Sequence, residues 1–261
     1  MNILDTIVAQ KRLEVALLPA RSVTPDDIRT ARREPRDFIA ALRRSTRGLV
    51  ALIAEVKKAS PSAGVICTDF DPGRIAREYE ASGAACLSVL TDETFFQGSL
   101  EHLRRVRGAV ALPLLRKDFI IDERQILEAA ENGADAILLI VRILTGEQLR
   151  RFHSLTVEAG LAALVEVHDE GELERALAVD AGLIGINNRN LDNFTVDLET
   201  TARLAAKITN KLIVAESGLH TGADVERVRR AGAGAILVGE SLLRHPAGIA
   251  AKIEALLGSI S

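Results

Sequence analysis

At 261 residues with 48% hydrophobic content, the chain can bury a large core, and its length suits one α/β barrel or two smaller domains. A net charge of −3, with seven Phe, one Tyr and no Trp, excludes a nucleic-acid surface, which needs a basic stripe and stacking rings; Arg43-Arg44 and Arg104-Arg105 read as solvated helix faces. Cys67 and Cys86 are too few and too far apart for a CxxC metal or redox motif, and no run approaches a signal-peptide core or the roughly 18 apolar residues of a membrane span, so a cytoplasmic protein is expected.

Within residues 2–18, Leu4, Ile7, Val8 and Val15 fall at helical spacing. Thr24 is an N-cap candidate, with Pro25 at the first helical position and Asp26 and Asp27 in the first turn; Glu34-Pro35 then opens a further helix through about Arg43. These helices precede the first strand. In a barrel they form an extra N-terminal segment, residues 1–47, which either closes the bottom or edges the mouth.

From Val50 onward, apolar runs at 50–57, 86–90, 111–116, 134–141, 161–167, 182–187, 211–216 and 234–239 read as strands, each followed by a helical pattern. Ser82-Gly83-Ala84, Asn132-Gly133-Ala134, Asp180-Ala181-Gly182 and Ala231-Gly232-Ala233 mark recurring helix-to-strand joints, since Gly is the usual residue past a helix C-terminus. Continuous apolar strands separated by helices imply a parallel sheet covered on both faces. About eight such units fit a single (β/α)8 TIM barrel domain over residues 1–261. A doubly wound open sheet ranks lower, because no Gly-rich fingerprint follows the first strand.

The segment Val50 to Gly64, VALIAEVKKASPSAG, is where chemistry is expected to begin. Glu55 and Lys57, two apart, project the same way from the end of a buried strand, either as a mutually neutralising pair or as a site for a charged substrate. The loop from Lys58 to about Asp71 is long, and Ser60, Ser62 and Gly64 offer hydroxyls and close backbone approach to an oxyanion. In a barrel the active site lies at the strand C-termini, and here those ends are polar: Glu55 and Lys57; Arg116 to Phe119; Glu166; Asn187 to Arg189; Glu216-Ser217-Gly218; Gly239-Glu240-Ser241. Their convergence points to a catalytic mouth. The seventh and eighth ends suit phosphate, with small residues and a short extra helix from Ser241 to Arg244. His168 and His220 follow strand ends without a second His at ligand spacing, so both read as loop residues and no metal site is expected.

The stretches AEVKKASPS, LTDETFFQGS, LRKDFI, LVEVHD, IGINNRNL, VAESGLH and LVGESL, in order from about Val50 to Arg244, resemble the indole-3-glycerol phosphate synthase family of tryptophan biosynthesis. The resemblance implies a lyase that closes the pyrrole ring of 1-(2-carboxyphenylamino)-1-deoxyribulose 5-phosphate with loss of carbon dioxide and water, and uses no metal or organic cofactor. It makes Lys117 the general acid, Glu55 and Glu166 the carboxylates of the later proton movements, and Lys57 a neighbour of the substrate carboxylate or phosphate. Asn187 and Glu216 become substrate-orienting groups, with Phe96, Phe119 and Leu138 as the wall for the anthranilate ring; Phe96 and Phe119 read equally as ordinary core, and Arg189 either binds substrate or pairs with a nearby acid to hold its loop. Ser60, Ser217, Gly218, Gly239 and Glu240 match the phosphate site. Ala63 stands where many members carry a basic residue, and no fused isomerase domain is expected after the eighth helix. Phosphoribosylanthranilate isomerase would need a Cys where Glu55 and Lys57 stand. A non-catalytic phospholigand-binding barrel is the alternative of a different class; acid/base groups on separate strands speak against it.

Overall fold

The computed structural model describes residues 3–44, 50–190 and 195–258. Residues 1–2 and 45–47 of the expected N-terminal segment, and Leu191 of the IGINNRNL stretch, lie outside the described residues. Eight parallel strands, β1 (Ala51–Val56), β2 (Cys86–Leu90), β3 (Leu114–Lys117), β4 (Ala136–Ile140), β5 (Ala162–Val167), β6 (Leu183–Asn187), β7 (Leu212–Glu216) and β8 (Ala235–Val238), pair in sequence order. Pairing of β1 with β8, Ala51 opposite Ala235, closes the barrel. The helices are α1 (Ile3–Ala16), α2 (Pro25–Ala31), α3 (Phe38–Arg43), α4 (Pro72–Ala81), α5 (Leu100–Ala109), α6 (Glu123–Glu131), α7 (Gly146–Glu158), α8 (Glu170–Ala178), α9 (Glu199–Ala205), α10 (Gly222–Arg230), α11 (Glu240–Leu243) and α12 (Gly248–Leu257).

Strand alternation sorts the core into two layers. Leu52, Ala54 and Val56 of β1 pack outward against the helices, whereas Ala51 and Ile53 join Leu115, Ala136, Leu138, Leu164, Leu183, Val214, Ala235 and Leu237 inside the barrel. Continuing the inward rows in steps of two reaches Glu55 on β1 and Lys57 just past it, Lys117 on β3, Glu166 on β5, Asn187 on β6, Glu216 on β7 and Gly239 just past β8. These polar groups share one parity and one face, whereas Arg116 turns outward to Glu128 and the Gln125 carbonyl.

The N-terminal segment does both of the jobs open to it. On α3, capped by Asp37 accepting from the Ala40 N–H, Phe38 and Leu42 fill the barrel bottom beside Ala51, Cys86, Ala136 and Ala162. That helix starts at Phe38, later than Glu34-Pro35 suggests, because Glu34 takes a left-handed backbone and residues 35–36 run on before the Asp37 cap. At the other end, Leu4, Ile7 and Val8 of α1 pack onto Phe119, Leu138 and Leu237. Thr24 caps α2 with the reciprocal Asp27 bond, as its sequence signature implies.

Three smaller differences have local causes. Three of the recurring joints place glycine in the left-handed region (Gly83, Gly133, Gly232), but in the third joint Asp180 adopts it and Gly182 does not. The apolar run 134–141 ends in a 3-10 turn over Val141–Ile143. The loop after β1 carries a two-residue hairpin, Ala59–Ser60 against Gly64–Val65. No described helix is long and apolar enough to cross a membrane.

Candidate active site

One cavity of about 200 Å³ opens at the C-terminal ends of the strands. The residues to which the resemblance gives roles line it: Glu55, Lys57, Ser60, Phe96, Lys117, Phe119, Leu138, Glu166, Asn187, Arg189, Glu216, Ser217, Gly218, Gly239 and Glu240; Ser62 lines it too, whereas Gly64 sits exposed in the hairpin and does not.

At its floor, the Lys117 ammonium lies 3.3 Å from Glu166 Oε2 and 3.6 Å from Glu216 Oε2, and Lys57 Nζ lies 2.6 Å from Glu55 Oε1. Glu55 and Lys57 are thus both an ion pair and part of the cavity wall. Three buried carboxylates face two ammonium groups, so one negative charge is in surplus. Burial, reinforced by the charges of Glu166 and Glu55 and outweighing attraction to Lys117, pushes Glu216 up to about 8. Glu166 is held below its ordinary value despite its burial, by Lys117, His168 and a hydrogen bond with Asn187. Burial works against the Lys117 charge, but Glu166, Glu216 and Glu55 outweigh it and hold the ammonium protonated. This is a preorganised acid next to one ionised and one protonated carboxyl group.

Two glycines make room for this cluster. A Cβ on Gly239 would stand 2.7 Å from Glu55 Oε1, and a Cβ on Gly185, inside β6, would run into Glu216 Oε1. From behind, the buried Tyr79 hydroxyl donates to the Glu55 carbonyl oxygen at 3.1 Å, tying the end of β1 to α4.

The apolar side of the cavity holds Phe96 and Phe119, with ring centroids 6.0 Å apart, and Leu138. Ile3, Leu4 and Ile7 of α1 complete that side. At the opposite corner, Ser217 and Gly218 are consecutive left-handed residues, with φ of 64° and 79°. Gly239 leads into α11, a four-residue helix that begins at Glu240, one residue before the expected start. The Ser60 hydroxyl accepts the Ala63 N–H at 3.2 Å, so part of its bonding capacity is spent in its own turn. Arg244 donates to the Ala63 carbonyl at 3.1 Å, linking that turn to the end of α11.

Sequence reasoning missed two supports. Lys11, only 3% exposed, lies 2.9 Å from Asp118 Oδ1, 3.1 Å from Asp92 Oδ2 and 2.7 Å from Glu14 Oε2. Asp92 Oδ1 accepts the N–H groups of Phe95 and Phe96, and Asp118 Oδ1 accepts that of Phe119. Arg116 and Lys11, with a bond from Thr91, overcome burial and hold Asp118 down at about 2. One lysine on α1 therefore joins the two loops that carry the cavity phenylalanines. A signal was present, since residue 11 falls on the stripe of Leu4, Ile7, Val8 and Val15. The second support is His168, which lies in the loop after β5 as expected and is there buried beside Glu166, with Nε2 3.4 Å from Glu166 Oε1.

Fold and mouth together define a (β/α)8 barrel with buried ammonium and carboxyl groups at the floor of a cavity at the strand C-termini. Solved mandelate oxidase structures share the fold at a TM-score of 0.62 and 19% identity, over 90% of this chain and 83% of theirs. The chain belongs to the indole-3-glycerol phosphate synthase family, whose model matches residues 4–256. Relatives of that name include one from Desulfotalea psychrophila, 52% identical with 93% of this chain and 94% of its own length covered. Those from Chlorobium chlorochromatii (50% identical, 93% and 95% covered) and Rhodopirellula baltica (49%, 99% and 100%) are similar along nearly their whole length.

Proposed function

We propose that this chain is a cytoplasmic lyase that converts 1-(2-carboxyphenylamino)-1-deoxyribulose 5-phosphate to indole-3-glycerol phosphate, carbon dioxide and water, acting as a single barrel domain with residues 1–47 as its N-terminal extension. The observation that carries the reading is Lys117 held charged between Glu166 and Glu216 at the cavity floor. Ring closure places negative charge on the substrate carbonyl oxygen, and a fixed ammonium stabilises that charge without reorganisation. Lys117 donates the proton as the ring carbon attacks. Loss of carbon dioxide restores the aromatic ring, and dehydration then needs a base for the carbon-bound proton and an acid for the departing hydroxyl. Glu166, ionised, is the base, and Glu55 with Lys57 serves the leaving hydroxyl and the substrate carboxylate.

Protonated Glu216 and Asn187 orient the substrate, with Arg189 at the rim of the same cavity. The anthranilate ring stacks on Phe96 and Phe119 above Leu138. The phosphate sits at the opposite corner, where Ser217, Gly218, Gly239 and Glu240 offer main-chain N–H groups and Ser60 a hydroxyl. To test this, the purified protein is mixed with the carboxyphenylamino-deoxyribulose phosphate without added metal, and indole absorbance and fluorescence are followed. Steady appearance of indole supports the reading. Saturable binding without product leaves a phospholigand-binding barrel instead.

A further inference from the structure

Asn188 follows Asn187 but stands behind the cavity wall, 2% exposed, and has no part in the chemistry above. It joins three elements. Its main-chain N–H donates to the Glu216 carbonyl at the end of β7 at 2.9 Å, and its own carbonyl accepts the Asp197 N–H at 2.9 Å. Its side-chain Oδ1 accepts the main-chain N–H of Thr201 at 3.1 Å and the Thr201 hydroxyl at 2.7 Å. Thr201 is the third residue of α9, whose cap residue Leu198 supplies no side-chain acceptor, so Asn188 satisfies one of the N–H groups that the start of that helix leaves open. The orientation of the amide follows. A main-chain N–H can only donate, so the oxygen faces Thr201 and the NH2 group faces the other way. There Nδ2 donates to the Ser217 carbonyl at 3.2 Å.

That carbonyl belongs to the turn at the proposed phosphate corner. Ser217 is left-handed although it is not glycine, a conformation that persists where neighbouring structure holds it. Holding its carbonyl also fixes the N–H of the same peptide, that of Gly218. The described chain has no cis peptide bond, and in a trans peptide C=O and N–H point in opposite directions, so the Gly218 N–H is turned away from Asn188. Gly218 lines the cavity, and its N–H donates to no partner among the described residues. On another side, a Cβ on Gly218 would stand 2.4 Å from Val196 Cγ1, so the segment leading to α9 packs against the turn, and Asp197 ties that segment back to Asn188.

We infer that Asn188 is a positioning residue for the phosphate group of the substrate: its amide braces the Ser217–Gly218 peptide so that the free Gly218 N–H meets the anion, while Asn188 itself does not touch substrate. The inference rests on the proposed reading of this corner as the phosphate site. A donor already held in place costs less order on binding than one that must be fixed by the ligand, so the brace contributes to affinity. The reacting groups around Lys117 are held by other contacts, and loss of the brace leaves them in place.

The test compares the native protein with Asn188→Asp, which keeps an acceptor for Thr201 and replaces the donor toward Ser217 by an oxygen, and with Asn188→Ser, which removes that donor without adding charge. In both, KM for the carboxyphenylamino-deoxyribulose phosphate is expected to rise roughly tenfold or more while kcat stays within about threefold of native, because the lost interaction is the same in the ground and transition states. Inorganic phosphate, used as a competitive inhibitor, should weaken by the same factor as KM. N-methylanthranilate, which probes the Phe96 and Phe119 side, should keep its native inhibition constant. A native KM in both variants, a rise confined to Asn188→Asp, or equal weakening of the two inhibitors overturns the inference. A second measurement needs no variant. In the native protein the Asn188 side-chain amide protons should exchange with solvent far more slowly than those of the exposed Asn210, and the Gly218 amide signal should move downfield as inorganic phosphate is titrated. Exchange as fast as that of Asn210, or a Gly218 signal that ignores phosphate, overturns it as well. If the native chain forms no indole, yet phosphate moves Gly218 and Asn188→Asp abolishes that response, the reaction is misassigned and the brace stands. If indole forms and both variants bind phosphate as the native chain does, the brace alone is wrong.

Discussion

Lys117 and Glu216 are bound to opposite expectations by the same surplus charge. Replacing Lys117 by Ala removes the acid and the counter-charge together. Turnover should drop by about 10²–10³-fold or more while far-UV circular dichroism stays native, and a variant with native kcat would displace Lys117 from its role. Glu216 gives a pH signature. Its native carboxyl binds the proton up to about 8, against 4.5 ordinarily, so the folded state holds more protons than the unfolded state between those values. The stability this carboxyl contributes is complete below the unfolded value and is lost as pH rises through 8. Thermal unfolding of Glu216→Gln from pH 5 to 8.5 should therefore show a flatter slope than native, with the variant gaining at the alkaline end; an unchanged slope would mean the proton resides elsewhere. The residues proposed as catalytic could be placed at the mouth from the sequence because each closes an apolar run. His168 was legible only in part: its i,i+4 partner Glu172 was visible, but the search was for a second histidine. Gly185 gave no signal, since nothing local tells that a glutamate from the next strand occupies its side-chain space.

At the scale of elements, α1 is a wall of the cavity fastened by one buried cation. Removing one partner of a buried pair costs on the order of 3–5 kcal/mol, because Asp92 would lose its cation, while Asp118 would keep only Arg116. Lys11→Ala should loosen Ile3, Leu4 and Ile7 from the mouth and release the Phe96 and Phe119 loops. Steady-state kinetics should show KM rising more than kcat falls, together with a lower unfolding midpoint; an unchanged KM would mean α1 is not part of the substrate site. The presence of α1 as a helix was readable from its spacing. Its partners were not, because Asp92 and Asp118 lie far along the chain and the folded barrel alone brings them to Lys11. The small hairpin after β1 escaped for a related reason, as two-residue strands carry no periodicity.

Over the whole molecule, the barrel divides into an apolar bottom plugged by α3 and a charged mouth edged by α1. Stability and activity should separate along that axis. Phe38→Ala at the bottom removes a fully buried ring and should cost about 3–5 kcal/mol of stability while leaving kcat and KM near native at 25 °C. Chemical denaturation and initial rates on one preparation check both halves of that statement, and a matching loss of kcat would show the two ends to be coupled. Closure of the barrel followed from eight apolar runs and their helices. Which end each N-terminal helix would cover did not, since both ends present apolar surface to an amphipathic helix and the choice depends on Lys11 and on the small inward residues Ala51, Ala136 and Ala162.

Tyr79 is the one tyrosine in a chain without tryptophan, and its hydroxyl rests on the backbone of Glu55. The protein's ultraviolet emission therefore comes from a single ring directly behind the reacting groups. Tyrosine emits where an indole absorbs, so a bound indole in the mouth would quench that ring by energy transfer, and the native chain carries its own optical gauge of occupancy without a label.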